Sequence, residues 1–355
     1  MLTKELKLFA EGNLDFYVAF EEYYACKNDT TRVPSISIAE MSEKINNGFL
    51  AEVERKSGVA RADNKDSWMV NPQVQWASFA IVNEIINSLL PQYITNSLAP
   101  FVDMRTVERG DVIKFKIKPR TLYTVSLSGR GERTTFRQKS FSGDLVVAPI
   151  EHIITVYADM LSVLAGKEDI ADFIRTAILS AEVEMKKDAI AALNTGLSVA
   201  ANYPAKFIET GAFSTQTAIQ LAQRVQAYNY GAKPVILGTA AALSKVLPDS
   251  TAGYRMNVAG ANGVATFVKN FYGYDLYEID QIPTGKDYGM ALDDNVLYFV
   301  SPSVDKVVKG VLNTTLSNGN QFYDNADLTS NWTMRKAWDF VFASAGYAGK
   351  YTITA

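Results

Sequence analysis

An α+β fold built around one long helix is what this sequence predicts, and three observations carry that prediction. From Asp169 to Asn194, apolar residues recur at spacings of three and four. Ile170, Phe173/Ile174, Ala177/Ile178, Ala181, Met185, Ala189 and Leu193 therefore share one helical stripe. In Val112–Lys118, apolar residues and lysines alternate at period two, which makes a strand with one charged face. Between Asn202 and about Gln281, extended and helical patterns interleave over a stretch of ordinary domain size.

The elements follow in order. Leu14, Tyr17, Phe20 and Tyr24 keep helical spacing, with Phe16 and Tyr23 widening the aromatic stripe. Thr31–Pro34 breaks it, and Ser35–Met41 leads into a helix carrying Met41, Ile45, Phe49 and Val53. Gly58–Ser67 reads as a polar loop. Trp76–Ile94 is a third helix, with Phe79, Val82, Ile86 and Leu89/Leu90 apolar and Pro91 expected to interrupt its end. Such helices pack either on the chain's own body or on a neighbouring copy. After Val112–Lys118, Tyr123–Leu127 stays extended, Gly129-Arg130-Gly131 supplies a turn, and Arg133–Phe141 alternates again. This is a long two-stranded hairpin with its tip near Arg130. Between Arg105 and Lys139 it holds ten basic residues against three acids, Glu108, Asp111 and Glu132. A hairpin of that length is marginal alone and is better explained if it lies on another surface.

Phe141–Pro149 is a strand, followed by a β-branched run through Ile153, Ile154, Thr155 and Val156 and a break at Ala165-Gly166. The long helix then starts at the N-cap candidate Asp169 and stops at Gly196. At about 1.5 Å per residue it spans roughly 40 Å, the length of a mechanical spine. Beyond it, Ser214 or Thr215 caps a helix with Ile219, Leu221, Val225 and Tyr228. Pro234–Gly238 is a short buried strand, Thr239 caps a helix to Leu247, Val264–Phe271 looks helical, and Tyr274–Asp280 is a strand. Val296–Val300, Val304–Leu316, Trp338–Phe342 and Tyr351 onward turn back to strands.

Absences narrow the function. The net charge is −3 in 355 residues, which argues against wholesale coating of nucleic acid and leaves any basic role local. Cys26 is the only cysteine, so no internal disulfide forms and a reducing compartment is expected. No apolar run is long enough for a membrane span, and the first residues lack a signal-peptide pattern; an intracellular protein without a membrane partner is expected. His152 is the only histidine, so paired-histidine metal motifs are excluded and a structural place in its strand is expected. There is no GxSxG and no phosphate loop. Asp293-Asp294-Asn295 is a turn, and Glu182 and Glu184 point apart on a solvated helix face. The sequence predicts no enzyme, no metal and no cofactor. What remains is an architecture of arms.

That architecture resembles the major capsid proteins of tailed double-stranded DNA bacteriophages, with the Hong Kong 97-like capsid fold. The resemblance is one of organisation over nearly the whole chain. It rests on the basic hairpin followed by Phe141–Thr155, the spine from Asp169, the strand and helix in Pro234–Val246, and Tyr277–Gly285 leading to Ala291–Asp305. It implies an N-terminal arm over 1–95, largely helical, and a link over 96–104. Residues 105–140 would form an extended β-hairpin, the E-loop, laid over an adjacent subunit. Residues 141–201 would be the peripheral domain with the spine at about 169–195, residues 202–295 the axial domain, and residues 296–355 strands returning to the peripheral domain. Lys114, Lys116, Lys118, Arg130, Arg133, Arg137 and Lys139 would make the intersubunit contact, with Glu168, Asp169 and Asp172 as acidic partners on a neighbour. Ile170, Ile174, Ile178 and Met185 would pack the spine on the peripheral sheet. The implied partners are copies of itself in hexamers and pentamers, scaffolding and portal proteins, and packaged DNA by non-specific proximity. The implied place is the virion capsid, assembled in the host cytoplasm. An encapsulin-type shell, or another oligomeric phage component, is the alternative.

Overall fold

The computed structural model describes residues 14–28, 36–61, 65–69, 71–98, 101–108, 111–118, 123, 125, 138–139, 142–157, 169–201, 203–246, 270–284, 288–313, 320–323, 330–343 and 346–354. Four helices come first: α1 (Leu14–Asn28), α2 (Ile38–Ser57), α3 (Lys65–Met69) and α4 (Pro72–Leu98). Ser37 and Glu40 close a capping box on α2, and Gly58 ends that helix at φ 68°, where a side chain would be strained. Phe20, Tyr23, Met41, Ile45, Phe49, Ile81, Val82, Ile85 and Ile86 are buried in one core with the spine. Of the two packings the sequence left open, the helices lie on the chain's own body. Pro91 does not end α4, which runs on to Leu98. One proline removes one helix hydrogen bond, and Ile85, Ile86, Leu89 and Leu90, buried just before it, hold that part of the helix in place.

The spine, α5 (Ile170–Gly196), begins at the N-cap Asp169 as expected, and Ile170, Ile174, Ile178 and Met185 are each 1% exposed or less. Sheet and helices share it, because its buried residues pack on α4 as well as on the first sheet. Glu182 also departs from the solvated face expected of it: it is buried and holds Lys186 Nζ at 2.8 Å.

The first sheet contains β1 (Val102–Val107), β4 (Ile150–Tyr157), β10 (Val308–Asn313), β11 (Asn320–Tyr323) and β12 (Ser330–Phe342). β1 runs parallel to β10, and β12 is antiparallel to β10, β11 and β4. Alternation along β12 sends Trp338 and Phe340 into the core shared with the spine, and Val341 toward the opposite face. That opposite face carries a ribbon of β2 (Ile113–Ile117) and β3 (Gly143–Val147). Phe115 and Val147 of the ribbon pack on Val107 and Val311.

The second sheet has the order β5 (Ile208–Gly211), β13 (Gly349–Ile353), β9 (Val296–Val300), β6 (Val235–Gly238), β8 (Tyr274–Glu278), β7 (Asn270–Phe271). Helices α6 (Thr215–Tyr228) and α7 (Ala240–Ser244), capped by Ser214 and Thr239, lie against it. Two expectations are corrected here. Residues 296–355 do not all return to the first sheet, because β9 and β13 pair with β6 and β5 in the second. Asn270 and Phe271 are strand, not helix, because Tyr272-Gly273 turns the chain straight back into β8; residues 264–269 lie outside the described residues. The Asp293-Asp294-Asn295 turn fastens the sheet, since Thr239 Oγ1 and Gln281 Nε2 donate to Asp294 at 2.7 and 2.8 Å and hold its carboxyl below the usual range.

Candidate assembly surface

The base of the basic hairpin is built by β2 and β3. Their register pairs Ile113 with Val147 and Ile117 with Gly143, so it is symmetric about sequence position 130, where the turn residues were read. Period-two alternation buries Phe115 and leaves Lys114, Lys116 and Lys118 exposed. The Arg105 guanidinium lies 4.5 Å from the Phe115 ring centre and Lys309 Nζ lies 5.7 Å from it, so cations close over the ribbon's one buried aromatic. Lys309 is itself buried and pairs with Asp103 at 3.2 Å and with Asp305. Lys139 is exposed. Arg130, Arg133, Arg137 and Glu168 lie outside the described residues.

The acids at the start of the spine already have donors within the chain. Asp169 accepts the Ala171 N–H at 3.0 Å and the Ser42 hydroxyl at 2.6 Å, which fixes α2 on the first turn of α5. Asp172 accepts the Tyr23 hydroxyl at 2.8 Å, and burial together with that carboxylate pushes the phenol well above its ordinary range. These acids dock the chain's own N-terminal helices.

Two features escaped the sequence. One is a groove beside the second half of the spine. There His152 stacks on Trp338 with ring centres 3.8 Å apart, and the Trp338 indole N–H donates to Asp188 at 2.9 Å. His152 Nδ1 sits 2.9 Å from the Ile150 carbonyl, so the lone histidine is a packing residue of strand β4. Register and tertiary packing bring these groups together, and no local signal marks them. The other is a set of tyrosines at left-handed backbone angles, Tyr230, Tyr272 and Tyr288, with φ of 57°, 49° and 52°. All three are exposed, an unusual conformation for a bulky side chain. Each precedes a glycine, Gly231, Gly273 or Gly289, and that repeated Tyr-Gly pair was a readable turn signal. No group of three or more His, Cys, Asp or Glu able to hold a metal occurs among the described residues, and no described helix is long and apolar enough to cross a membrane.

Comparison with known proteins adds a family. The model of a family described as SPbeta prophage-derived putative capsid protein YonB matches residues 28–254, more than half of the chain. No curated protein matches the sequence. Among solved structures, the chain is similar to the mature capsid of bacteriophage PhiM1, at 12% identity and a TM-score of 0.49, covering 72% of this chain and 86% of that one. It is also similar to a phage-related protein from Bordetella bronchiseptica RB50, at 12% identity and a TM-score of 0.47, covering 76% and 95%. A virus-like particle from Pyrococcus furiosus is similar at 10% identity and a TM-score of 0.43, covering 76% and 98%.

Proposed function

The chain belongs to the family of the SPbeta prophage-derived capsid protein YonB and is a structural protein of a phage shell, not an enzyme; from that premise we propose that it is the major shell subunit, with a Hong Kong 97-type division of labour. The first sheet, the spine and the helices α1–α4 make a peripheral body, and the second sheet with α6 and α7 makes the axial unit that meets its copies at capsomer centres. Hexamers and pentamers of the subunit close an icosahedral shell around double-stranded DNA, with scaffolding and portal proteins as partners and assembly in the host cytoplasm.

The observation that carries this reading is the hairpin base. Twenty-five residues, 118–142, lie between paired ends on a ribbon whose exposed face carries Lys114, Lys116 and Lys118. As an antiparallel excursion of about 12 residues per arm, they would reach about 40 Å, as far as the spine is long. An arm of that reach on an acidic chain fits contact with another subunit better than contact with its own. Each exposed ion pair contributes only about 0.2–1 kcal/mol, so shell strength comes from symmetric repetition and from buried anchors.

Charge reversal tests the reading. Arg130→Glu with Arg133→Glu should abolish closed particles in negative-stain images of the expressed protein, while the subunit stays folded by circular dichroism. Unchanged particle yield would remove the hairpin from assembly. Nucleic acid inside purified particles supports the phage shell, and a packaged protein in its place would make it a cargo compartment.

A further inference from the structure

His152 is the chain's one histidine, and histidine is the side chain whose ordinary titration falls between pH 5 and 8. It sits near the start of β4, where the chain leaves the β2–β3 ribbon and enters the first sheet. Three elements converge on its ring. Trp338 of β12 lies flat against it, with ring centres 3.8 Å apart and planes 2° from parallel. Its own strand places the Ile150 carbonyl 2.9 Å from Nδ1, and the spine places Asp188 Oδ2 3.7 Å from Nε2. A carbonyl and a carboxylate only accept hydrogen bonds. A neutral imidazole carries one N–H, so in either tautomer one ring nitrogen turns a lone pair toward an acceptor. A second proton satisfies both, and it puts a cation on the face of Trp338, where the ring quadrupole attracts it. Asp188 is positioned independently, because the same Oδ2 accepts the Trp338 indole N–H at 2.9 Å. The imidazole also lines a cavity of about 980 Å³ beside the spine, so solvent protons reach it in the folded chain.

We propose that His152 and Asp188 form a proton-operated clamp, which fastens β4 and the root of the ribbon leading into it to the spine when the imidazole takes up its second proton. Strand β4 is where such a clamp matters. It pairs only with β12 among the described residues, and its Ile150 and Ile153 are 60% and 56% exposed, so little apolar burial holds this end. Only Ala148 and Pro149 separate it from β3, so the seating of β4 sets where the ribbon is rooted. The other charged groups nearby leave the pair to itself. Lys336 of β12 stands directly across from His152, but its ammonium turns to Asn87 of α4. Burial brings Lys336 down to about 8, so it has taken its proton before the pH falls to the range of an ordinary imidazole. Lys187, beside Asp188 on the spine, is engaged by Glu184. Glu151, Arg335 and Asp339 alternate onto the opposite face of the sheet. The clamp acts within one subunit and stands apart from the shell reading.

Hydrogen exchange of the full-length subunit tests this. Protection factors of the β4 amides already discount the intrinsic pH dependence of exchange. Between about pH 7 and about pH 5.5 they should rise about twofold to fivefold, the size of a partly exposed ion pair. His152→Gln cannot take the proton and should stay at the low value across that range. His152→Arg is charged throughout and should stay at the high one. Asp188→Asn still offers an oxygen to the Trp338 indole but carries no charge, so it too should lose the rise; it decides the matter if a substitution at His152 does not fold. A rise that survives in His152→Gln or in Asp188→Asn puts the proton elsewhere and overturns the clamp. Equal protection in the parent at both pH values does the same. With one histidine in the chain, a single pair of imidazole ¹⁵N signals reports when the ring is protonated, and protection that changes out of step with those signals also overturns it.

Discussion

Lys336 is the residue whose cost is easiest to measure. It points from β12 into the core, is 3% exposed, and bonds Asn87 of α4 through its ammonium; no described carboxylate lies within ion-pairing distance. Burial pushes its pKa from 10.5 down to about 8. Between those two values the unfolded chain holds a proton that the folded chain has lost, so stability climbs as pH rises from about 8 toward 10.5. Below about pH 8 the folded protein keeps a charge in a site that disfavours it. Lys336→Met fills the same stem volume without that charge, though it leaves the Asn87 acceptor to find water. The variant should be more stable than the parent by about 1–2 kcal/mol at pH 7, with the difference gone by about pH 10. Urea unfolding at a series of pH values checks this. Parallel pH profiles for the two proteins would show that Lys336 is not the cause. Asn83, one turn before Asn87 on α4, has a buried carbonyl oxygen with no hydrogen-bond partner among the described residues, so this polar seam between helix and sheet is imperfectly satisfied at two points.

At the scale of elements, the spine shows what local pattern can and cannot carry. Its stripe, its Asp169 cap and nearly its full length were legible, because helical periodicity and capping are properties of neighbouring residues. The hairpin base was legible for the same reason, since lysines alternate with Ile113, Phe115 and Ile117. The division of strands between sheets was not. Val296–Val300 and Val308–Leu312 are both buried runs a few residues apart, yet the first joins β6 and β13 and the second joins β1 and β12. Nothing in either run names its partner. The groove was illegible too, since His152 meets Trp338 diagonally across a pairing set by register. Gly196 marks the boundary between the two kinds of information. In sequence it is a helix stop; in the structure it lies inside the last turn, and a β-carbon there would come within 2.0 Å of the Phe342 ring. A mere stop could take alanine and gain helix propensity of about 1 kcal/mol. A contact point cannot, so Gly196→Ala should destabilise by about 1–3 kcal/mol, read as a lowered urea midpoint at unchanged slope. A raised midpoint would return Gly196 to the role of a stop.

For the whole molecule, what matters is how the two sheets are held at one angle, because a shell repeats that angle in every subunit. The junction is aromatic. Tyr203 meets Phe342 edge-on at 5.6 Å, Phe207 stacks on Tyr347 at 5.1 Å, and Tyr228 closes on both Phe207 and Tyr347. Phe342 ends β12 of the first sheet, and Tyr347 and Ala348 lead into β13 of the second. Tyr203 locks them together. Its hydroxyl donates to the Ala348 carbonyl and accepts the Ala348 N–H, each at 2.9 Å, and burial raises its pKa beyond any physiological pH. Tyr203→Phe preserves the ring and its edge-on contact but leaves one buried carbonyl and one buried N–H of Ala348 without partners. Such groups cost about 1–3 kcal/mol each, so the variant should lose about 2–6 kcal/mol of unfolding free energy. If the junction also sets curvature, a loosened Tyr203 should broaden the diameter distribution of assembled particles in electron micrographs. Particles as uniform as the parent's, from a subunit measurably less stable, would confine Tyr203 to folding and leave the intersheet angle to the packing of Phe207 and Tyr347.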